Sequence, residues 1–144
     1  MTLLRLVLNV LWIITGGIWM AAAWIIAGCL MLISIVGIPW AWSAFRIAAF
    51  TLLPFGHRAV RRSRFTERGG LGTGLLGLLG NIVWLVLAGW WLALGHLVAA
   101  VLLAVTVIGI PFAWAHLKLA GLALWPVGTE IVPIGARLRP EISY

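Results

Sequence analysis

Ile33-Ser34-Ile35-Val36-Gly37-Ile38-Pro39-Trp40 and, 72 residues later, Val105-Thr106-Val107-Ile108-Gly109-Ile110-Pro111-Phe112 are one pattern written twice. The match extends outward without a gap, laying Asn9–Val60 onto Asn81–Val132. Its identities include Asn9/Asn81, Trp12/Trp84, Gly17/Gly89, Trp19/Trp91, Trp42/Trp114, Pro54/Pro126 and Gly56/Gly128. Shared Leu or Ala would follow from composition alone. Shared Asn, Trp, Gly and Pro at one register do not, so the chain is a tandem duplication.

The duplicated unit belongs in a membrane. Of 144 residues, 64% are hydrophobic and 9% charged, with a mean hydropathy of +1.16. Soluble domains are about 45–50% apolar and about 25% charged. No charge stands between Arg5 and Arg46, nor between Arg68 and Lys118, and each gap exceeds the roughly 20 residues that span a bilayer core. Net charge is +7, but the cations sit in short segments between apolar stretches. That is the bias of cytoplasmic membrane loops and not a nucleic-acid footprint, so no nucleic-acid partner is expected. The single Cys29 allows no intrachain disulfide. Arg5, the apolar run after it and Ala21-Ala22-Ala23 have the outline of a secretory leader. Because the second copy keeps the same pattern internally, the first is expected to stay in the mature chain.

Each half is long enough for two crossings joined by a tight turn; the rival layout is one long helix plus a short interfacial helix, which would put Arg5 and the central arginines on opposite faces. With two crossings per half, Arg5, the central arginines and Arg137 and Arg139 all fall on one face. The expected architecture is therefore an all-α membrane protein of two tandem helical hairpins, about four transmembrane segments, with both termini cytoplasmic. The hairpins are expected as parallel internal repeats about an axis along the membrane normal. The expected spans are about 6–27, 30–53, 76–99 and 102–125, with hairpin tips near Gly28 and Ala100. The domain boundaries are 1–60 for the first repeat, 61–75 for a basic, Gly-rich cytoplasmic linker, 76–132 for the second repeat and 133–144 for a short cytoplasmic tail. Within this layout the second helix of each hairpin should break at Ser34, Gly37 and Pro39 and at Thr106, Gly109 and Pro111. Proline removes a donor and clashes with the carbonyl four residues back. Paired interruptions at equivalent positions point to a binding site or pore, with a packing kink as the alternative.

The order Asn81-Ile82-Val83-Trp84, Gly89-Trp90-Trp91, Ile108-Gly109-Ile110-Pro111 and Leu124-Trp125-Pro126-Val127-Gly128, repeated from Asn9 to Leu53-Pro54-Phe55-Gly56, resembles the YccF family of bacterial inner-membrane proteins. The resemblance covers about residues 3–132. It implies a duplicated inner-membrane component domain in a bacterial inner membrane, and it implies no particular activity.

Catalytic arrangements are scarce. Glu67, Glu130 and Glu141 lie in or beside the charged segments, so no carboxylate relay is expected within the membrane. Gly72-Thr73-Gly74-Leu75-Leu76-Gly77 has the letters of a dinucleotide loop without the preceding strand or the following acid. His96 and His116 alone make a weak metal site and are expected as packed side chains. Neither an enzyme, nor a cofactor, nor a metal centre is expected. Arg46 and Lys118 are equivalent cations, each four residues after Trp42 or Trp114, a spacing that sets a cation beside an indole on a helix. They are the expected ion-facing residues, with snorkelling to the interface as the alternative. Arg58, Arg61, Arg62, Arg64 and Arg68 are expected to contact anionic lipid headgroups, although their simplest role is setting topology. Membrane lipids and further copies of the chain are the expected partners. The expected function is an oligomeric channel for an ion, an anion by preference, or a small solute; the alternative is a non-transporting scaffold or regulatory subunit.

Overall fold

The computed structural model describes residues 2–62 and 70–136. The chain forms α1 over Leu3–Ile33, 31 residues long, two helical stretches joined by a kink at Gly16, whose φ of 146° is not helical. After a tight turn comes α2, Ile38–Leu52, and then a short strand β1, His57–Arg61. The second copy repeats this order: α3 over Gly74–Ala104, α4 over Ile110–Leu124 and β2 over Thr129–Pro133. α1 and α3 are long and apolar enough to cross a membrane. α2 and α4 have 15 residues each, a rise of about 22 Å, short of a hydrocarbon core of about 30 Å.

The Gly-Ile-Pro segments do not break a second helix. They separate the first helix from the second, so the hairpin tips lie at Ser34–Gly37 and Thr106–Gly109 and not near Gly28 and Ala100. The reason is local. The Ser34 hydroxyl donates to the Met31 carbonyl at 2.7 Å and accepts the Gly37 N–H at 3.0 Å. Thr106 does the same between Leu103 at 3.2 Å and Gly109 at 3.0 Å. Pro39 and Pro111 then sit in the first turn of α2 and α4, where a missing N–H costs nothing. Gly28, by contrast, is a buried helical position whose added Cβ would come within 2.8 Å of the Phe45 ring.

After the Asn-x-x-Trp motif the long helix widens, in α3 as a π-helical turn at Leu85–Gly89 and in α1 as the equivalent stretch Ile13–Gly17, which carries the kink at Gly16. The extra residue sets Trp12 over Gly17 and Trp84 over Gly89, where a Cβ would meet the indole. Each indole thereby reaches the last turn of its short helix: Trp12 Nε1 donates to the Thr51 carbonyl at 2.6 Å and Trp84 Nε1 to Ala123 at 2.7 Å. One turn earlier the asparagine holds the residue after the proline by both backbone groups. Asn9 Nδ2 donates to the Phe55 carbonyl at 3.0 Å and Asn9 Oδ1 accepts the Phe55 N–H at 3.1 Å. Asn81 and Val127 repeat the pair at 3.1 and 3.0 Å. These bonds satisfy carbonyls that a helix end leaves without partners.

β1 and β2 pair antiparallel, with Ala59 opposite Ile131. Those residues are equivalents in the duplication, as are Trp24 and His96, which hydrogen bond to each other. A pseudo-twofold axis therefore passes through the strand pair and the helical core. The all-α expectation is corrected by this sheet. Five-residue strands that exist only by pairing across the two halves leave no mark in either half alone. The hairpins interlock: Trp40, at the start of α2, donates to the Leu71 carbonyl and lies over Gly80, while Phe112, at the start of α4, packs on Trp12 and Phe55. Between them Trp24 stacks on Trp84 at 5.3 Å, amid Met31, Ile47 and Leu92. The tips are apolar and exposed, Val107 and Val105 more than four-fifths so.

Trp84→Phe keeps the ring but leaves the buried Ala123 carbonyl unpaired, a cost of about 1–3 kcal/mol. The expected outcome is a lower unfolding midpoint in detergent, with no comparable shift for Trp19→Phe, whose ring is exposed.

Candidate functional site

Three aromatic side chains from α1, α3 and α4 form a polar thread in the apolar interior. Trp24 Nε1 donates to His96 Nε2 at 3.1 Å, and His96 Nδ1 lies 3.0 Å from His116 Nδ1. All three are buried. An indole N–H only donates, so His96 Nε2 must be the unprotonated nitrogen, and the neutral ring carries its proton on Nδ1. That proton goes to His116 Nδ1, which places the His116 proton on Nε2. The direction of every bond follows from the tryptophan. The thread ends at His116 Nε2, a buried donor without a hydrogen-bond partner. Beside it lies the kink of α1 at Gly16, whose φ of 146° suits glycine and whose added Cβ would sit 3.9 Å from that nitrogen. The Trp12 ring covers His116 at 4.5 Å. Among the described residues no third His, Cys, Asp or Glu joins the pair in a metal-binding group.

The two equivalent cations have different surroundings. Arg46 Nη1 lies 3.5 Å from Glu130 Oε1, and Arg62 Nε lies 3.2 Å from Glu130 Oε2. Arg46 is thus half-buried and partnered by a carboxylate, whereas the sequence leads one to expect a cation unopposed by any acid. Its tryptophan, Trp42, packs on Phe45 instead. Lys118 follows the expectation, with Nζ 5.4 Å from the Trp114 ring centre.

The remaining sequence-derived residues fall into place individually. Ser34, Gly37 and Pro39, like Thr106, Gly109 and Pro111, build the hairpin tips and are not gathered into one site. Arg58 and Arg61 lie on β1, and Arg62 follows it. Arg64 and Arg68 lie outside the described residues, as do Glu67, Arg137, Arg139 and Glu141. Gly17 and Gly89 lie beneath Trp12 and Trp84 of the same chain.

The family model described as the YccF inner membrane component domain matches residues 7–57 and again 79–129. The chain belongs to the YccF family. Its duplication coincides with those two matches, and membership places it among inner-membrane proteins. "Inner membrane protein YccF" of Escherichia coli (strain K12) is 34% identical over 134 residues, which is 91% of this chain and 89% of that protein. The Shigella flexneri protein of the same description matches to the same extent. No solved structure matches.

The His96–His116 contact was partly legible: their spacing puts one on each helix of the second hairpin. What the sequence did not carry is Trp24, the duplication's counterpart of His96, as the third member. The tautomers can be read from imidazole 15N shifts of histidine-labelled protein. His96 is expected as the Nδ1–H form and His116 as the Nε2–H form, and Trp24→Phe should convert this single state into a mixture. Two Nε2–H rings in the unsubstituted protein would refute the assignment.

Proposed function

We propose that this YccF protein is a non-conducting subunit of the bacterial inner membrane whose hairpins enter from the cytoplasmic face and whose working surface is the base where they re-emerge. One observation carries this reading: each repeat begins and ends at the same place. Asn9 grips Phe55 and Asn81 grips Val127, so the start of each long helix is tied to the turn after its short helix. An even number of passages per half follows, with Arg5, Arg58, Arg61 and Arg62 collected on one face, as positive-inside placement requires. Four membrane-embedded segments in parallel repeats, with both termini cytoplasmic, fit this base and its twofold strand pair. The apolar exterior suits assembly with another membrane protein or with further copies of the chain.

An oligomeric anion channel is the second reading. The unpartnered His116 N–H and Lys118 favour it, since buried donors and basic side chains select for anions. The features that would make it a channel are weaker supports: the Ser34 and Thr106 hydroxyls are engaged in their own turns, and Arg46 is neutralised by Glu130.

Reporters active on one side of the membrane, fused at Thr66 and at the C-terminus, are expected to give the same cytoplasmic signal. Opposite signals would overturn the topology. Purified protein in planar bilayers under a salt gradient is expected to leave the membrane silent. Unitary currents reversing near the anion limit, altered by Lys118→Gln, would replace the first reading with the second.

A further inference from the structure

The duplicated scaffold sets a cation of each short helix against a residue of a strand, once with a counter-charge and once without. On one side stand Arg46 and Glu130. The equivalent positions on the other side are Lys118 and Arg58, so the carboxylate is replaced by a second cation. Arg5 joins them at the position where the second repeat has Gly77. The consequence is a difference in filling. In the equivalent region of the other side the segment before α3 packs in, Gly72 lying against Gly77 and Gly128, and the cavity left there is about 270 Å³. Lys118, Arg5 and Arg58, whose Nη2 also donates to the Ala136 carbonyl at 3.0 Å, line one cavity of about 930 Å³ between the first turns of α1, the α2–β1 connection and α4. Among the described residues no acid lines it. Its polar end carries the three cations and His57, and its walls include Leu8, Phe50, Leu119 and Leu122. Arg58 and Lys118 are exposed, so the charged end opens to the surface.

We propose that this cavity seats one anionic phospholipid, its phosphate between Lys118 and Arg58 and an acyl chain along Leu8, Leu119 and Leu122. Like charges gathered without a carboxylate call for a bound anion. The volume and the leucine wall exceed what a free phosphate would fill, and a lipid supplies both an anionic head and an apolar tail. The Arg46–Glu130 side serves as an internal comparison: the same fold with its cation already neutralised holds the smaller cavity. The proposal rests on the membrane-embedded base described above but not on whether the protein conducts.

The test is native mass spectrometry of the full chain in mild detergent, offered phosphatidylglycerol or phosphatidylcholine. One phosphatidylglycerol per chain is expected to remain bound, with phosphatidylcholine lost. Lys118→Gln should lower that retention roughly fivefold, the worth of one surface cation, and Arg58→Glu, which copies the Arg46–Glu130 pair, roughly thirtyfold. Arg46→Gln, the equivalent of Lys118 on the other side and outside the cavity, should leave it unchanged, as should millimolar inorganic phosphate. Unfolding midpoints accompany each variant; should Arg58→Glu lower its own, the Lys118→Gln result decides. Equal retention of the two lipids would overturn the proposal. So would an unaltered Lys118→Gln, a loss in Arg46→Gln equal to that in Lys118→Gln, or displacement by free phosphate. Because the readout is binding in purified protein, a failed topology assay and a failed lipid assay remain separate results.

Discussion

A helix whose last turn is buried inside the protein leaves carbonyls with nothing to accept from, and the fold is organised around supplying those donors from a distant residue. Trp12 and Trp84 reach across to the last turn of the short helices, and Asn9 and Asn81 hold both backbone groups of the next turn. Without the indole and amide, α2 could not give way to β1 so close to its final turn, because water would have to enter to satisfy the backbone. The clamp also explains the spacing of the motif. Asparagine and tryptophan three residues apart share one helical face, and the π-helical turn with its glycine lets the indole lie along the helix it comes from.

Once each hairpin is closed at its base, the rest follows from bringing two bases together. The strands that leave the clamped turns pair with each other, and the pairing creates the pseudo-twofold axis. Trp40 and Phe112 carry the interlocking from one repeat to the other. Stability is therefore shared: neither hairpin presents a complete core, because Trp24 stacks on Trp84 and hydrogen bonds to His96 of the other half.

Divergence between the copies has gone where the twofold axis makes it consequential. Trp24 and His96 are equivalents that touch, and because one is an indole and the other an imidazole the contact is a directed hydrogen bond that continues to His116. Glu130 and Arg58 are equivalents as well, and their opposite charges leave Arg46 neutralised and Lys118, among the described residues, without a carboxylate beside it. A duplicated protein can acquire a one-sided chemical feature in this way with no change of fold.

The duplication, the helical hairpins and the inner-membrane setting were all determined by the sequence. They rest on composition, on runs of apolar residues and on Gly and Pro positions, signals that act within a few residues. The hairpin tips belong to the same class: Pro39 and Pro111 carried the information, but a proline that interrupts a helix and one that opens the next look alike without knowing where Gly28 packs. The strand pair, the Trp24–His96–His116 thread and the Arg46–Glu130 pair were decided only by the tertiary structure. Each joins residues far apart in the chain, and in an alphabet this apolar many alternative pairings share the same hydrophobic gain. Geometry, through clamps that permit one way of closing the hairpins and one way of setting the two copies together, made the choice.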